Sequence, residues 1–293
     1  MKDPIEDKIL YAIVYTVLIL FTIAVLYPLI FIVSSSFSSG SAVSSGRVVF
    51  LPVEPSLEGY KAVFKHKNIL SGYRNTIFYT VAGTLINVIM TLIAAYPLSR
   101  RDMQFKKFYM FLFVFTMFFS GGLIPTYILM TKIKFVNTVW AMIIPGALSV
   151  YNMIVTRTFI MTNIPLELLE AAQIDGCSDA KYFFMVVLPL SKAIIAVITL
   201  FYAVGHWNAY FGALIYLNEP KLYPLQLILR TILVVNQVNL SDIEDPELIA
   251  AKQGLADLLK YSLIIVSTAP ILALYPFVQK YFIKGVMIGS IKG

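Results

Sequence analysis

The sequence predicts an all-α, polytopic membrane protein with six transmembrane helices. The 293 residues are 59% hydrophobic and only 13% charged, whereas soluble chains carry about 25% charged residues. Mean hydropathy is +0.80. Six apolar runs approach or exceed the ~20 residues that a helix needs to cross a bilayer, and the polar, turn-rich stretches fall between them. A single transmembrane domain is expected over 1–293.

The first run, 9–33, exceeds the ~7–15 residues of a signal-peptide core, and the segment before it mixes Lys2 and Lys8 with Asp3, Glu6 and Asp7. A retained span is expected. It leads through Pro28 and a serine-rich exit into a long polar connection, 34–74. Within that connection PSLEGYKAVF (55–64) predicts a short helix capped by Ser56, with Tyr60 and Phe64 on one side. The second span, 76–96, ends at Pro97. Loop 97–107 holds Arg100, Arg101, Lys106 and Lys107 in eleven residues, a density that marks the cytoplasmic side.

The third span, 108–130, is interrupted by Gly121-Gly122 and Pro125, and the fourth, 138–161, by Pro145 and Gly146. Broken helices are tolerated at membrane depth only where the backbone faces protein or a water-filled cavity, so these two suggest a pathway or a packing kink. The fifth span is 193–217. A second long connection, 218–260, carries the acidic cluster Asp242, Glu244 and Asp245, with Pro246 and Glu247 opening a helix into the sixth span, 261–283. Six spans with loop 97–107 inside place both termini in the cytoplasm. The cations Arg47, Lys61, Lys65, Lys67 and Arg74 then lie outside, which a long translocated loop permits.

Between spans four and five sits Asn163–Pro189, NIPLELLEAAQIDGCSDAKYFFMVVLP. It predicts two short helices with a bend. Asn163 is suited to cap the first and Pro165 to its first turn. Glu167 and Glu170 lie near the positive end of that helix. Leu166, Leu169 and Ile174 form an apolar strip with Ala171 and Ala172. Gly176 suits a left-handed terminator, Ser178 starts the second helix, and Pro189 opens the next apolar run. Such a hairpin is either a bundle-capping loop or a contact surface, its alanines admitting a close approach and its acids pairing with basic groups.

The residues Glu170-Ala171-Ala172, Asp175-Gly176 and Val186-x-Leu188-Pro189 resemble the EAA loop of ABC importer permeases, with spacing EAA-x3-G-x9-I-x-LP and Val186 in place of the usual Ile. That resemblance implies a cytoplasmic coupling helix that docks in a cleft on an ATPase subunit, with Glu170 pairing with an arginine there. The C-terminal residues Lys284-Gly285, Gly289 and Lys292-Gly293 resemble the tail of shorter sugar-importer permeases, which implies a further ATPase contact. Resemblance across most of the chain is to the shorter permease of maltose- and alginate-type importers. It implies oligosaccharide import into a bacterium across the cytoplasmic membrane. The implied partners are a second homologous permease, a dimeric ABC ATPase and an extracytoplasmic solute-binding protein. The same family with a non-sugar cargo is an alternative.

His206, Trp207, Asn208 and Tyr210 fall within span five. Polar and aromatic groups at membrane depth usually face the bundle interior, where they would suit a sugar with its apolar ring face and hydroxylated rim. Packing or interhelical bonding is the competing role, and Asn75, Asn87 and Asn152 are expected to bond between helices. The cations outside the membrane could attract an acidic cargo. The charge of +7 is explained by span-flanking residues, so no nucleic acid partner is expected.

No phosphate loop, HExxH or GxSxG motif occurs, and two histidines make a metal site improbable. No cofactor is expected on this chain, ATP and Mg being held by the partner ATPase. The lone Cys177 reads as a small filler. An intramembrane enzyme would need a nucleophile or metal cluster. An ion-driven transporter would need carboxylates in the spans, and the proposed spans hold none.

Overall fold

The computed structural model describes residues 4–238 and 254–273. Those residues are helical with no strands, and cluster into two compact units. One comprises 4–69, 229–238 and 254–270, the other 70–228 and 271–273. The acidic cluster 242–247, the end of the sixth span and the C-terminal Lys284, Gly285, Gly289 and Lys292 lie outside the described residues.

In the first unit, the helix Ile5–Ser36 has 32 residues. At 1.5 Å per residue it is about 48 Å long, more than the ~30 Å hydrocarbon core. Its most apolar stretch is covered by none of the other described residues. Thr16 and Thr22 return their hydroxyls to the carbonyls of Ala12 and Leu18, each at 2.7 Å, so neither leaves an unmet donor facing lipid.

The serine-rich exit is knit into structure rather than solvated. Ser34 donates to the Phe50 carbonyl at 2.6 Å, Ser38 accepts from the Val53 N–H at 3.0 Å, and Ser36 bonds the Tyr60 hydroxyl at 2.8 Å. The helix expected within 55–64 is Glu58–Lys65, but its cap position is Leu57 and not the expected Ser56, whose hydroxyl accepts from the Glu58 N–H one residue before the cap. Its buried face is Gly59 and Val63, with Phe64 65% exposed. The reason is close approach. Gly59 lies against Ser262 and the Leu258 carbonyl of helix Gly254–Ala273, where a β-carbon would collide.

The second unit is arranged around Ile69–Ser99, a 31-residue helix that contains the expected span 76–96 and carries Pro97 in its last turn. Its neighbours are interrupted. Lys106–Phe118 and Leu123–Lys132 meet at 110° across the expected Gly121-Gly122 break. Pro125 falls in the first turn of the second piece, where its missing N–H costs no helical bond. The fourth run divides into Trp140–Ile143 and Val150–Asn163, and the fifth into Lys192–Trp207 and Phe211–Tyr216. Among the described residues, three helices are long and apolar enough to span a membrane, or five if each bent pair counts as one.

The second unit's interior is closed by side chains of the Ile69–Ser99 helix reaching to the broken elements. Asn75 donates to the carbonyls of Lys221 and Tyr223 at 2.7 and 3.0 Å, and Tyr79 to that of Leu222 at 2.8 Å. Thr76 accepts from the Leu225 N–H at 2.8 Å, and Asn87 donates to the Gly146 carbonyl. Asn75 and Asn87 thus bond between elements, as expected for them.

In the first unit Gly40 and Gly254 meet backbone to backbone. A β-carbon on either would lie 2.9 or 3.0 Å from the other's carbonyl carbon, and no flexible side chain is there to yield. Gly254→Ala should therefore destabilise by about 1–3 kcal/mol through overpacking. A thermal unfolding midpoint of the purified protein equal to wild type would show that the two segments can separate freely.

Candidate functional site

The hairpin 163–189 owes its entry to proline. Pro165 disfavours helical geometry at the residue before it, and Ile164 is accordingly extended at φ −106°, ψ 110°. That residue separates Asn163 from the new helix, so the expected Asn163 cap does not form. Asn163 ends the preceding helix and its amide donates back to the Phe159 carbonyl at 3.0 Å. Pro165 takes the cap position and the hairpin helix is Leu166–Ile174.

The exit follows the expected chemistry. Gly176 is left-handed at φ 69°. Its N–H donates to the Gln173 carbonyl at 3.0 Å and the Cys177 N–H to that of Ala172 at 2.8 Å. This pair of bonds is the Schellman arrangement, usually sealed by an apolar contact across the turn. Ala172 and Cys177 pack in one cluster with Ile160, Tyr182 and Val187, which gives the lone cysteine a packing role.

Ser178 caps the second helix by accepting from the Lys181 N–H. That helix runs Asp179–Leu190 and turns by 78° into Lys192–Trp207. Its middle, Phe183–Val187, is a π-helical turn. The corner is at buried Ser191, two residues beyond Pro189, because the helix accommodates Pro189 in its final short turn.

The expected apolar strip is split between two faces. Leu169 and Ala172 face the core cluster, whereas Ile174 is 86% exposed and Glu170 and Ala171 are also exposed. Positions 167, 170, 171 and 174 share one side of a helix by their i, i+3, i+4, i+7 spacing. Glu167, Glu170, Ala171 and Ile174 therefore form an outward face of mixed charge and apolar surface. Glu170 makes no hydrogen bond or ion pair with the described residues. Asp175 and Pro189 are exposed, and Leu188 is half-buried.

A clip that sequence reasoning missed fixes the base of the hairpin. Arg100, only 11% exposed, donates to Asp179 at 2.7 Å, to the Tyr96 hydroxyl at 3.2 Å, and through two nitrogens to both oxygens of Asp102 at 2.8 and 2.6 Å. The Asp102 carboxyl is lowered to about 2, chiefly by the Arg100 hydrogen bonds. Those bonds in turn push Arg100 above its ordinary value. Loop 97–107 advertised its charge in the sequence, but a partner 79 residues away carried no local signal.

The membrane-depth candidates do not converge. His206 Nε2 bonds Asn87 Oδ1 at 2.6 Å against Gly83, where a β-carbon would strike the imidazole ring. Trp207 is buried and packs at 6.4 Å from Tyr73. Asn208 donates to the Val204 carbonyl of its own helix at 3.0 Å, and Tyr210 is 43% exposed. The described residues hold no group of three or more metal-ligating side chains.

Residues 2–288 match the family model for the binding-protein-dependent transport system inner membrane component. The chain belongs to that family of ABC transporter permeases. The polygalacturonan/rhamnogalacturonan transport system permease protein of Bacillus subtilis (strain 168) is 40% identical over 247 residues, 84% of this permease and 85% of that protein. The melibiose/raffinose/stachyose import permease protein of the same organism is 30% identical, covering 83% of each. A crystal structure of a bacterial ABC transporter involved in the import of the acidic polysaccharide alginate contains a chain that superimposes with TM-score 0.84 at 32% identity. That match covers 96% of this permease and 99% of the other chain.

The Arg100 clip has a testable consequence. A carboxyl depressed to about 2 contributes fully above the ordinary carboxylate range and is lost only as pH falls through that value. Between pH 8 and pH 5 the Arg100–Asp102 pair should thus stay intact. Arg100→Ala should speed amide hydrogen exchange across 166–190, after correction for intrinsic rates, with little change in the Ile5–Ser36 helix. Equal exchange in variant and wild type would remove the clip's role.

Proposed function

We propose that this permease is the membrane-spanning subunit of an ATP-driven importer for oligosaccharides, and that the outward face of Leu166–Ile174 receives the stroke of the ATPase. Exposure on that face carries the reading. Glu170 and Ala171 are open and Ile174 is 86% exposed, while Leu169 and Ala172 anchor the same helix to the core. An apolar side chain so bare beside an unpaired carboxylate suits a protein partner with a basic group and a small apolar recess. The permease performs no chemistry of its own. ATP and Mg sit on a separate ATPase dimer, and a second permease and a solute-binding protein complete the assembly. The hairpin and both termini lie in the cytoplasm in this reading, which the cations of loop 97–107 support.

An acidic cargo is favoured within that class. Two of the similar proteins are named for polygalacturonan/rhamnogalacturonan transport and for alginate import. The cations of 34–74 give this weaker support, since Arg47 is paired with Glu54 at 2.8 Å. For the substrate path, Tyr210 is exposed and available, whereas His206 and Trp207 serve packing as well.

The test is ATPase activity of the reconstituted assembly with its binding protein loaded with galacturonate oligomers or with neutral oligosaccharides. Stimulation should be greater with the acidic oligomers and should fall by at least about tenfold in Glu170→Ala at equal assembly, a loss of ~1.4 kcal/mol of coupling. Full stimulation by the variant would assign the coupling elsewhere. Stimulation only by neutral sugars would correct the cargo.

A further inference from the structure

A cleft lies behind the hairpin helix, against the ends of Ile69–Ser99 and Val150–Asn163. Ile160, Met161, Ile164 and Leu169 give it apolar walls, and Arg100 and Arg101 lie along it. The two arginines differ. Arg100 is spent on Asp102 and Asp179, whereas Arg101 is exposed and makes no hydrogen bond or ion pair with the described residues. Lys106 and Arg157 add positive charge close by. Two arginines therefore line the cleft, and Arg101 has no carboxylate partner among the described residues.

Depth is fixed by the chain itself. Arg101 follows the end of an apolar membrane helix at Ser99 by two residues, and Phe105 and Phe108 beside it are 75% and 57% exposed. A polybasic loop directly after a span end lies against the lipid headgroups. At that depth a cavity with apolar walls and an unpaired guanidinium matches one abundant class of molecule. A free phosphate would gain nothing from the apolar walls, and a sugar would leave its hydroxyls unmet there.

We propose that this cleft is a site for an anionic phospholipid, with the headgroup phosphate on Arg101 and an acyl chain along Ile160, Met161, Ile164 and Leu169. Basic pockets between membrane helices take lipid headgroups in this way. Leu169 lies on the inward face of the hairpin helix. A lipid seated there braces that helix from behind and makes its position sensitive to membrane composition. The inference depends on the membrane placement of the family and not on the cargo or on coupling.

The test reads lipid retention directly, so its result is independent of any transport measurement. The purified assembly is equilibrated with phosphatidylglycerol or phosphatidylcholine of identical chains, and bound lipid is counted by native mass spectrometry. Wild type should retain phosphatidylglycerol in preference to phosphatidylcholine. Arg101→Gln should lower that retention about fivefold, the scale of one cation near an anionic surface, and Arg101→Lys should restore most of it. Leu169→Trp, which fills the cleft and keeps the charge, should also lose the lipid. Equal retention of the two lipids, or unchanged retention in both Arg101→Gln and Leu169→Trp, would overturn the site. Displacement by inorganic phosphate alone would also overturn it, in favour of a free-anion site.

Discussion

A membrane helix that breaks must still satisfy the peptide groups it frees, because lipid offers no partner. In the second unit Ile69–Ser99 helps to meet this constraint at the 144–149 break, directly through Asn87 and through Thr91 by way of Tyr202. Three apolar runs are interrupted, at 119–122, 144–149 and 208–210, and Ile69–Ser99 runs unbroken beside them. Its Asn87 meets the Gly146 carbonyl and the His206 ring. Its Thr91 bonds the Tyr202 hydroxyl at 2.7 Å, and that hydroxyl accepts from the Ser149 N–H at 3.0 Å. Its Leu98 carbonyl accepts from Arg157 at 2.8 Å. Removing any one partner would strand a polar group at membrane depth, at a cost of about 1–3 kcal/mol each.

The same helix ends at the hairpin. Arg100, one residue past Ser99, holds Asp179, while Tyr96 packs with Phe183 at 4.9 Å between ring centres. The hairpin is thereby attached at its base and left bare on its outward face. Tight turns limit its internal freedom. Pro165 fixes the entry, and the Gly176 turn, with its two reversed hydrogen bonds, fixes the exit. A short helix held by turns of that kind moves as a piece, which is what the transmission of a displacement requires.

Much of this was legible in the sequence, and the limits have physical causes. Composition and apolar runs gave the helical membrane class, since burial in lipid demands continuous hydrophobicity. Gly121-Gly122, Gly176 and Ser178 announced their roles because backbone conformation and capping are local properties. Asn163 misled because it is a residue type suited to capping while Pro165 set the helix start two residues later. The apolar strip of the hairpin divided because Ile174 and Leu169 lie on different sides of one helix, which composition alone does not separate. The Arg100–Asp179 clip and the Asn87–His206 bond join residues 79 and 119 apart in sequence, and no local pattern encodes such pairs.

The placement of charge gives two acids of the hairpin different surroundings. Asp179 and Glu170 are both exposed acids on the same short segment, yet of the two only Asp179 has a partner among the described residues. A carboxylate needed for attachment is paired within the chain. One needed for recognition must stay unpaired until its partner arrives, because an internal ion pair would have to be broken on docking. Glu170 satisfies that condition and stands beside Ala171, whose small side chain lets another surface come close. The geometry thus distinguishes the two acids by their pairing, as the motif does by their position. It also explains how a hairpin without catalytic groups can be both firmly attached and open to a partner.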